Sequence, residues 1–188
     1  TGATGAARSL IQRSWDTACE VPGVDDIFVA TDNDRIAQAV RDFGGQVIMT
    51  SDTCRNGTER VAEALQGLAA PADIVVNLQG DAPLTPPWFI TGLIEEMKRD
   101  REVQMATPVL QCDSHTLNMF IEDRRNGQVG GTTAVFDRNW DALYFSKEVL
   151  PFTDKPYAAD AGTPVYHHVG AYAYRPKTLG QYVSWPEG

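Results

Sequence analysis

Hydrophobic and polar positions along the chain switch repeatedly between a helical and a strand period, without internal repeats or a low-complexity linker. Leu10, Ile11, Ser14, Trp15 and Ala18 form a helical stripe that ends at Pro22-Gly23, and DIFVAT (26–31) follows as a short apolar strand. Ile36, Ala39, Val40 and Phe43 then share a helical face, with Gly44 placed to close that helix. QVIMT (46–50) is predicted as a strand, TERVAEALQGL (58–68) as a helix and Ile74-Val75-Val76 as the start of a buried strand. Further on, 86–100 is predicted as a helix, VQMATPVL (103–110) as a strand and 115–125 as a helix. The last third is richer in strands, at 130–137, 141–146 and 165–175, before a helix from Pro176 to about Trp185. Strands alternating with helices imply right-handed crossovers and a mainly parallel α/β sheet, to which the later strands add antiparallel neighbours.

One strand changes character at its end. DIVVNLQGDAPL (73–84) opens as a buried strand and then places Asn77, Gln79 and Asp81 at alternate positions, which share a face as the strand enters the Gly80-Asp81-Ala82-Pro83 turn. Burying three unpartnered polar groups would cost several kcal/mol, so they bond to each other, to backbone or to a ligand. Ligands of open α/β sheets sit at the carboxyl ends of strands, where a carboxylate such as Asp81 can hold Mg²⁺ beside a nucleotide phosphate. The plainer reading is a turn cap, and the spacing alone weighs the two evenly. SDTCRNGTERVAEA (51–64) also follows a strand, and its Gly57-Thr58 pair opens a helix whose amides could meet a phosphate or sugar oxygen. In isolation the simpler reading there is an N-cap, with Glu59 favourably placed in the first turn.

Composition narrows the function classes. The chain has 188 residues, 43% hydrophobic and 22% charged, enough for one α/β domain with a sizeable core. A formal net charge of -9 argues against general nucleic-acid or anionic-membrane binding, so an anionic substrate would be held by a few placed residues. Cys19, Cys54 and Cys112 form no CxxC pair and suit a reducing cytoplasm, and neither an apolar run long enough to span a bilayer nor a signal-like segment is present. The first residue is Thr, so the natural N-terminus is expected to lie outside this stretch. TGATGAARSL (1–10) looks like a dinucleotide-binding turn, but Gly2 and Gly5 lack the third glycine and the preceding strand of that fingerprint.

Together, VATDNDRIAQAVRDFGGQVIMTS, NGTERVAEA, DIVVNLQGDAPLTPP, ALYFSKEVLPF, HHVGAYAYR and YVSWPEG resemble the 3-deoxy-manno-octulosonate cytidylyltransferase (CMP-Kdo synthetase) family of lipopolysaccharide biosynthesis. The resemblance implies a single nucleotidylyltransferase domain over 1–188 with a mainly parallel, Rossmann-like nucleotide-sugar transferase sheet and added antiparallel strands. It also implies a cytoplasmic homodimer that uses Mg²⁺ and CTP and transfers CMP to a sugar acid. Carried over by position, Asp81 would bind Mg²⁺, Gln79 and Gly80 would lie by the nucleoside, and Gly57, Thr58 and Arg60 would border the cytidine pocket. His168 and Tyr172, four apart and therefore expected on one face of one strand, would contact the sugar acid, with Lys147 facing its carboxylate.

Several positions depart from the family pattern. Ala82 stands where Glu usually follows Gln-Gly-Asp, Asn56 where Ser commonly precedes Gly-Thr, and Lys147 where an Arg would recognise a carboxylate bidentately. GQVGGTTAVFD (127–137) differs as well. The family's phosphate loop is expected before Thr1 and its distal acidic metal motif after Gly188, so that the visible chain is expected to be the middle of an enzyme. A nucleotidylyltransferase for another sugar acid, and a non-catalytic ligand-binding paralogue, stay open beside the main reading.

Overall fold

A computed structural model describes residues 8–186 except 70, 155, 159 and 160; the glycines at 2 and 5 lie outside the described residues. The chain divides into two compact units, one drawn from Thr1–Ala106 with Gly170–Gly188 and the other from Thr107–Val169.

The first unit carries α1 (Leu10–Cys19), β1 (Val29–Thr31), α2 (Asp34–Asp42), β2 (Val47–Met49), α3 (Gly57–Gln66), β3 (Val75–Leu78), α4 (Pro87–Arg99) and β4 (Met105–Ala106). Most of these helices begin where local chemistry tells them to. Ser9, Asn33 and Asn56 cap α1, α2 and α3 by accepting from backbone amides two or three residues on, each worth about 1 kcal/mol. Pro87 opens α4, where its missing amide costs nothing, and Gly44 takes φ +83° just past α2, a conformation that an L side chain resists.

The second unit contains β5 (Val109–Asp113), α5 (Ser114–Arg125), β6 (Thr133–Phe136), β7 (Ala142–Ser146) and β8 (Gly162–His168). The chain then returns to the first unit as β9 (Ala171–Tyr174) and α6 (Pro176–Tyr182).

Among the described strands the sheets are mixed. β1 and β2 pair in parallel, whereas β9 lies antiparallel between β3 and β4, and β5-β8-β6-β7 is antiparallel throughout. The mainly parallel sheet expected from the alternation is corrected in this respect, because β9 returns late in the chain to pair with β3 where a crossover strand was expected. Two predicted single strands are also each two. The 103–110 run breaks at Thr107-Pro108 into β4 and β5, and 165–175 breaks at Val169-Gly170 into β8 and β9, so each half serves a different unit.

The first unit's core gathers Ile90, Leu93, Ile94 and Met97 of α4 with Ala171 and Ala173 of β9, and a second cluster joins Ala62, Tyr174 and Leu179. Met97 and Leu179 are fully buried, each contributing roughly 1.5–3 kcal/mol. In the second unit, Leu117 and Phe120 of α5 close over Cys112 and Val165, covering one face of the sheet.

Candidate functional site

The chemistry of the first unit collects at the carboxyl ends of its strands. β3 runs out into Gln79, Gly80 and Asp81, a turn closed by the Ala82 amide donating to Gln79 O at 3.1 Å. Ser14 Oγ of α1 donates to Gly80 O at 3.0 Å, and a Cβ on Gly80 would come within 3.0 Å of Ile11 Cδ1. Gly80 is therefore small for a packing reason as well as any ligand's. Asn77 is 7% exposed, while Gln79 and Asp81 are exposed. The Asp81 carboxylate makes no hydrogen bond or ion pair with another described residue.

α3 begins beside this turn. Asn56 Oδ1 accepts from the Glu59 amide at 3.0 Å, so the residue that departs from the family's Ser does the same capping work. Glu59 turns back onto Arg55, taking its amide at 2.8 Å and its guanidinium at 2.5 Å, and these bonds hold the carboxyl below its usual range. Gly57 faces Asn77, whose Nδ2 lies 3.7 Å from where a Gly57 Cβ would stand. Arg60 reaches from α3 across two strand ends, donating to Thr50 Oγ1 at 2.6 Å past β2 and to Asp32 Oδ2 at 3.1 Å past β1. Thr58 turns elsewhere: it lies by Tyr174, whose phenol burial pushes up against a smaller downward effect of Thr58.

A cavity of about 710 Å³ is lined by Gly57, Arg60, Asn77, Gln79, Gly80 and Asp81, with an otherwise largely apolar wall from α1, β1, β3, α3 and α4. The chemistry-bearing part is thus the rim formed at the strand ends. Tyr172, expected near a sugar, packs against the cluster of Ala62, Tyr174 and Leu179, stacking on Tyr174 at 6.0 Å, and burial raises its phenol.

In the second unit His168 and Lys147 are brought together through Thr132. Lys147 Nζ donates to Thr132 Oγ1 at 2.8 Å, and the His168 amide donates to Thr132 O at 2.8 Å. Thr107 Oγ1 donates to Val169 O at 3.2 Å and lies 2.9 Å from His168 Nε2, which makes Nε2 the donor of that pair. The ring also meets Phe145 edge-on at 4.9 Å. Burial, then His167 and Lys147, push the His168 imidazole below its usual value. The expectation that His168 and Tyr172 share one strand face is corrected: they lie on β8 and β9, strands of different units, because Val169-Gly170 interrupts the run.

Sequence reasoning missed the residues that hold these groups. Asp32, Thr50 and Thr132 anchor Arg60 and Lys147, and their common polar types carry no local signal. Arg124 donates to the carbonyls of Gln128 and Gly131 and to that of Lys147, tying down the loop before β6. Arg175, the last residue of HHVGAYAYR, donates to Val103 O, Asp73 O, Asp100 O and Met97 O, and so clamps the end of α4. Among the described residues, no group of three or more His, Cys, Asp or Glu could hold a metal by itself.

The chain matches the cytidylyltransferase family over residues 6–187. The chain belongs to that family. It is 49% identical over 174 residues to the 3-deoxy-manno-octulosonate cytidylyltransferase of Maricaulis maris (strain MCS10), covering 93% of this chain and 66% of that protein. It is 40% identical over 177 residues to the protein of the same name from Chlamydia felis (strain Fe/C-56), covering 94% and 64%. A solved structure of CMP:2-keto-3-deoxy-manno-octonic acid synthetase complexed with CTP superposes with a TM-score of 0.81 at 33% identity, over 97% of this chain and 70% of that one. The 4-diphosphocytidyl-2C-methyl-D-erythritol synthase of Anaerococcus prevotii DSM 20548 shares the fold, with a TM-score of 0.55 at 15% identity over 96% and 67%. The resemblance read from the motifs is thereby borne out. The chain spans about two thirds of the length of these curated relatives.

Proposed function

We propose that the protein transfers CMP from CTP to a 3-deoxy-manno-octulosonate-type sugar acid and releases pyrophosphate. The observation that carries this reading is the polar rim of Gly57, Arg60, Gln79, Gly80 and Asp81 at the strand ends of a unit whose relatives include a CTP-bound synthetase. In the reaction the anomeric hydroxyl oxygen bonds to the α-phosphorus as the bond to the bridging oxygen breaks. The electron pair leaves with pyrophosphate, and the hydroxyl proton passes to solvent. No covalent enzyme intermediate is needed, so positioning and charge neutralisation supply the catalysis.

Gln79 and Gly80 lie against the nucleoside in this reading, Gly57, Thr58 and Arg60 border the cytidine, and Arg60 is held ready by Asp32 and Thr50. Thr58 contributes through the first turn of α3, since its side chain lies by Tyr174. Lys147 faces the sugar carboxylate, with His168, tied to the same Thr132, as a further sugar contact. Asp81 suits Mg²⁺: an exposed carboxylate without a partner among the described residues would serve as a hard oxygen ligand to an ion that is also held by the substrate's phosphates. When bound, the ion neutralises charge on the phosphates. Both units belong to one nucleotidylyltransferase domain on a Rossmann-like plan, and the protein works as a homodimer. Free Cys19, Cys54 and Cys112 favour the reducing cytoplasm, and no described helix is long and apolar enough to cross a membrane.

A second reading, another sugar acid as acceptor, rests on Lys147, whose point charge is less selective than a guanidinium fork. Pyrophosphate release with CTP, Mg²⁺ and a panel of sugar acids tests both readings. Release with 3-deoxy-manno-octulosonate is expected. Release only with a different acid would favour the second reading, and none with any acid would favour a non-catalytic ligand binder.

A further inference from the structure

Gly57, Thr58 and Arg60 account for only part of the polar stretch 51–64, which also carries Cys54 and Glu63. We propose that Glu63 is a positioning residue for the nucleotide: it fixes the 51–54 turn against α3 and thereby aims the Arg60 guanidinium at the cavity rim. The inference rests on the CTP reading of that rim and adds to it a residue that acts without touching the ligand.

Arg60 and Glu63 are three apart on α3, so their side chains leave neighbouring positions of one helix face. Between them they take both backbone polar groups of Ser51. The Ser51 amide donates to Glu63 Oε1 at 2.6 Å, and Ser51 O accepts from Arg60 Nη1 at 3.4 Å. The other Glu63 oxygen, Oε2, accepts from the Cys54 thiol at 3.1 Å, so one carboxylate closes both ends of the turn. Inside the turn, Ser51 Oγ accepts from the Thr53 amide at 3.1 Å.

This stitching reaches Arg60 through the atoms the guanidinium leans on. Nη1 donates to Thr50 Oγ1 at 2.6 Å as well as to Ser51 O, while Nη2 donates to Asp32 Oδ2 at 3.1 Å. Thr50 has an anchor of its own, since its amide donates to Thr31 O at 3.0 Å. The chain beyond it, from Ser51 to Cys54, depends on Glu63. Arg60 lines the cavity, so a shift of that turn moves the cation that borders the nucleotide.

The chemistry of the two acceptor bonds is complementary. Donation by the Cys54 thiol and the Ser51 amide, with Arg60 nearby, holds the Glu63 carboxyl below its usual range. Burial and then Glu63 itself push the Cys54 thiol up, so it keeps the proton it donates and serves as a donor rather than a nucleophile. Both donors are neutral groups. Reach therefore matters more than charge: an uncharged acceptor of the same length still meets Ser51, whereas a shorter carboxylate does not span the turn.

Calorimetric titration of CTP with Mg²⁺ into the full-length protein, together with steady-state pyrophosphate release, tests the inference. Glu63→Asp, which keeps the charge and loses the reach, is expected to weaken CTP binding about tenfold while the KM for the sugar acid and kcat at saturating CTP stay unchanged. Glu63→Gln is expected to bind CTP within about twofold of the wild type. In an Arg60→Ala background, Glu63→Asp should cost little further affinity, because the residue acts through that guanidinium. A lowered melting temperature with CTP affinity unmoved would leave Glu63 a staple of the turn and overturn the inference, as would additive losses in the double variant. Normal binding by Glu63→Asp with weak binding by Glu63→Gln would make charge the cause and overturn it too. A wild-type protein that neither binds CTP nor releases pyrophosphate overturns the functional reading, and this inference falls with it.

Discussion

The two units hold their polar groups in opposite ways. In the first, Asp81 and Gln79 stand exposed at the end of β3, and Arg60 is gripped by two side chains, Asp32 and Thr50. In the second, His168 is half-buried between Thr107 and Phe145, and Lys147 is tied through Thr132 to the same backbone that receives the His168 amide. An exposed group can change its chemistry without disturbing the fold, whereas a half-buried one carries both. Substitutions in the first unit's rim should therefore separate activity from stability, and those in the second should not.

The largest effect is expected at Asp81. Asp81→Asn should lower turnover about 10²-fold or more with the melting temperature unchanged, since the carboxylate has no described partner to lose. Undiminished turnover at limiting Mg²⁺ would remove Asp81 from the metal. Arg175 probes the opposite behaviour within the same unit: Arg175→Met orphans several carbonyls around α4 and should cost about 2–4 kcal/mol in denaturant unfolding. CTP affinity measured on the folded fraction should stay as it was; a parallel loss would make this arginine part of the binding site.

His168→Ala is expected to raise the KM for the sugar acid about tenfold, leave CTP binding alone and also lower the melting temperature. Calorimetry showing an equal fall in CTP affinity would break the division of substrates. The two histidines add a pH dependence. Burial pushes both His167 and His168 below the ordinary value of 6.5, so the unfolded chain takes up protons more readily than the folded one. Their contribution to stability is present above about pH 6.5 and is lost as pH falls through the lowered folded values. Unfolding midpoints that are level across that range would contradict the half-buried environment. The smallest effect is expected at Gly80, where Gly80→Ala meets only the end of the Ile11 side chain and should cost under about 1 kcal/mol. If CTP binding still weakens when Ile11→Ala makes room, the glycine serves the ligand as well as α1.

Much of the first unit was legible in the chain because its signals are local. Asn56 followed by Gly57, Thr58 and Glu59 announces the start of α3, and the cap and first-turn acid are both present. The alternation at Asn77, Gln79 and Asp81 marked the strand end that opens on the cavity rim. The second unit was less legible. Pro108 and Gly170 are local break signals, but each sits within an apolar run that continues on both sides, and nothing local says that the two halves serve different units.

The sequence alone determined where helices start, which strand ends in polar groups, and the family, because capping, periodicity and motif spacing are properties of neighbouring residues. Only the tertiary structure decided that Arg175 clamps α4 while Arg60 spans two strand ends, that Thr58 faces Tyr174, and that His168 and Tyr172 part company. Those outcomes depend on which distant carbonyl, carboxylate or ring each side chain meets when the chain closes on itself, and residues 10 or 28 positions from Arg60, or 72 to 102 from Arg175, leave no mark on the local pattern.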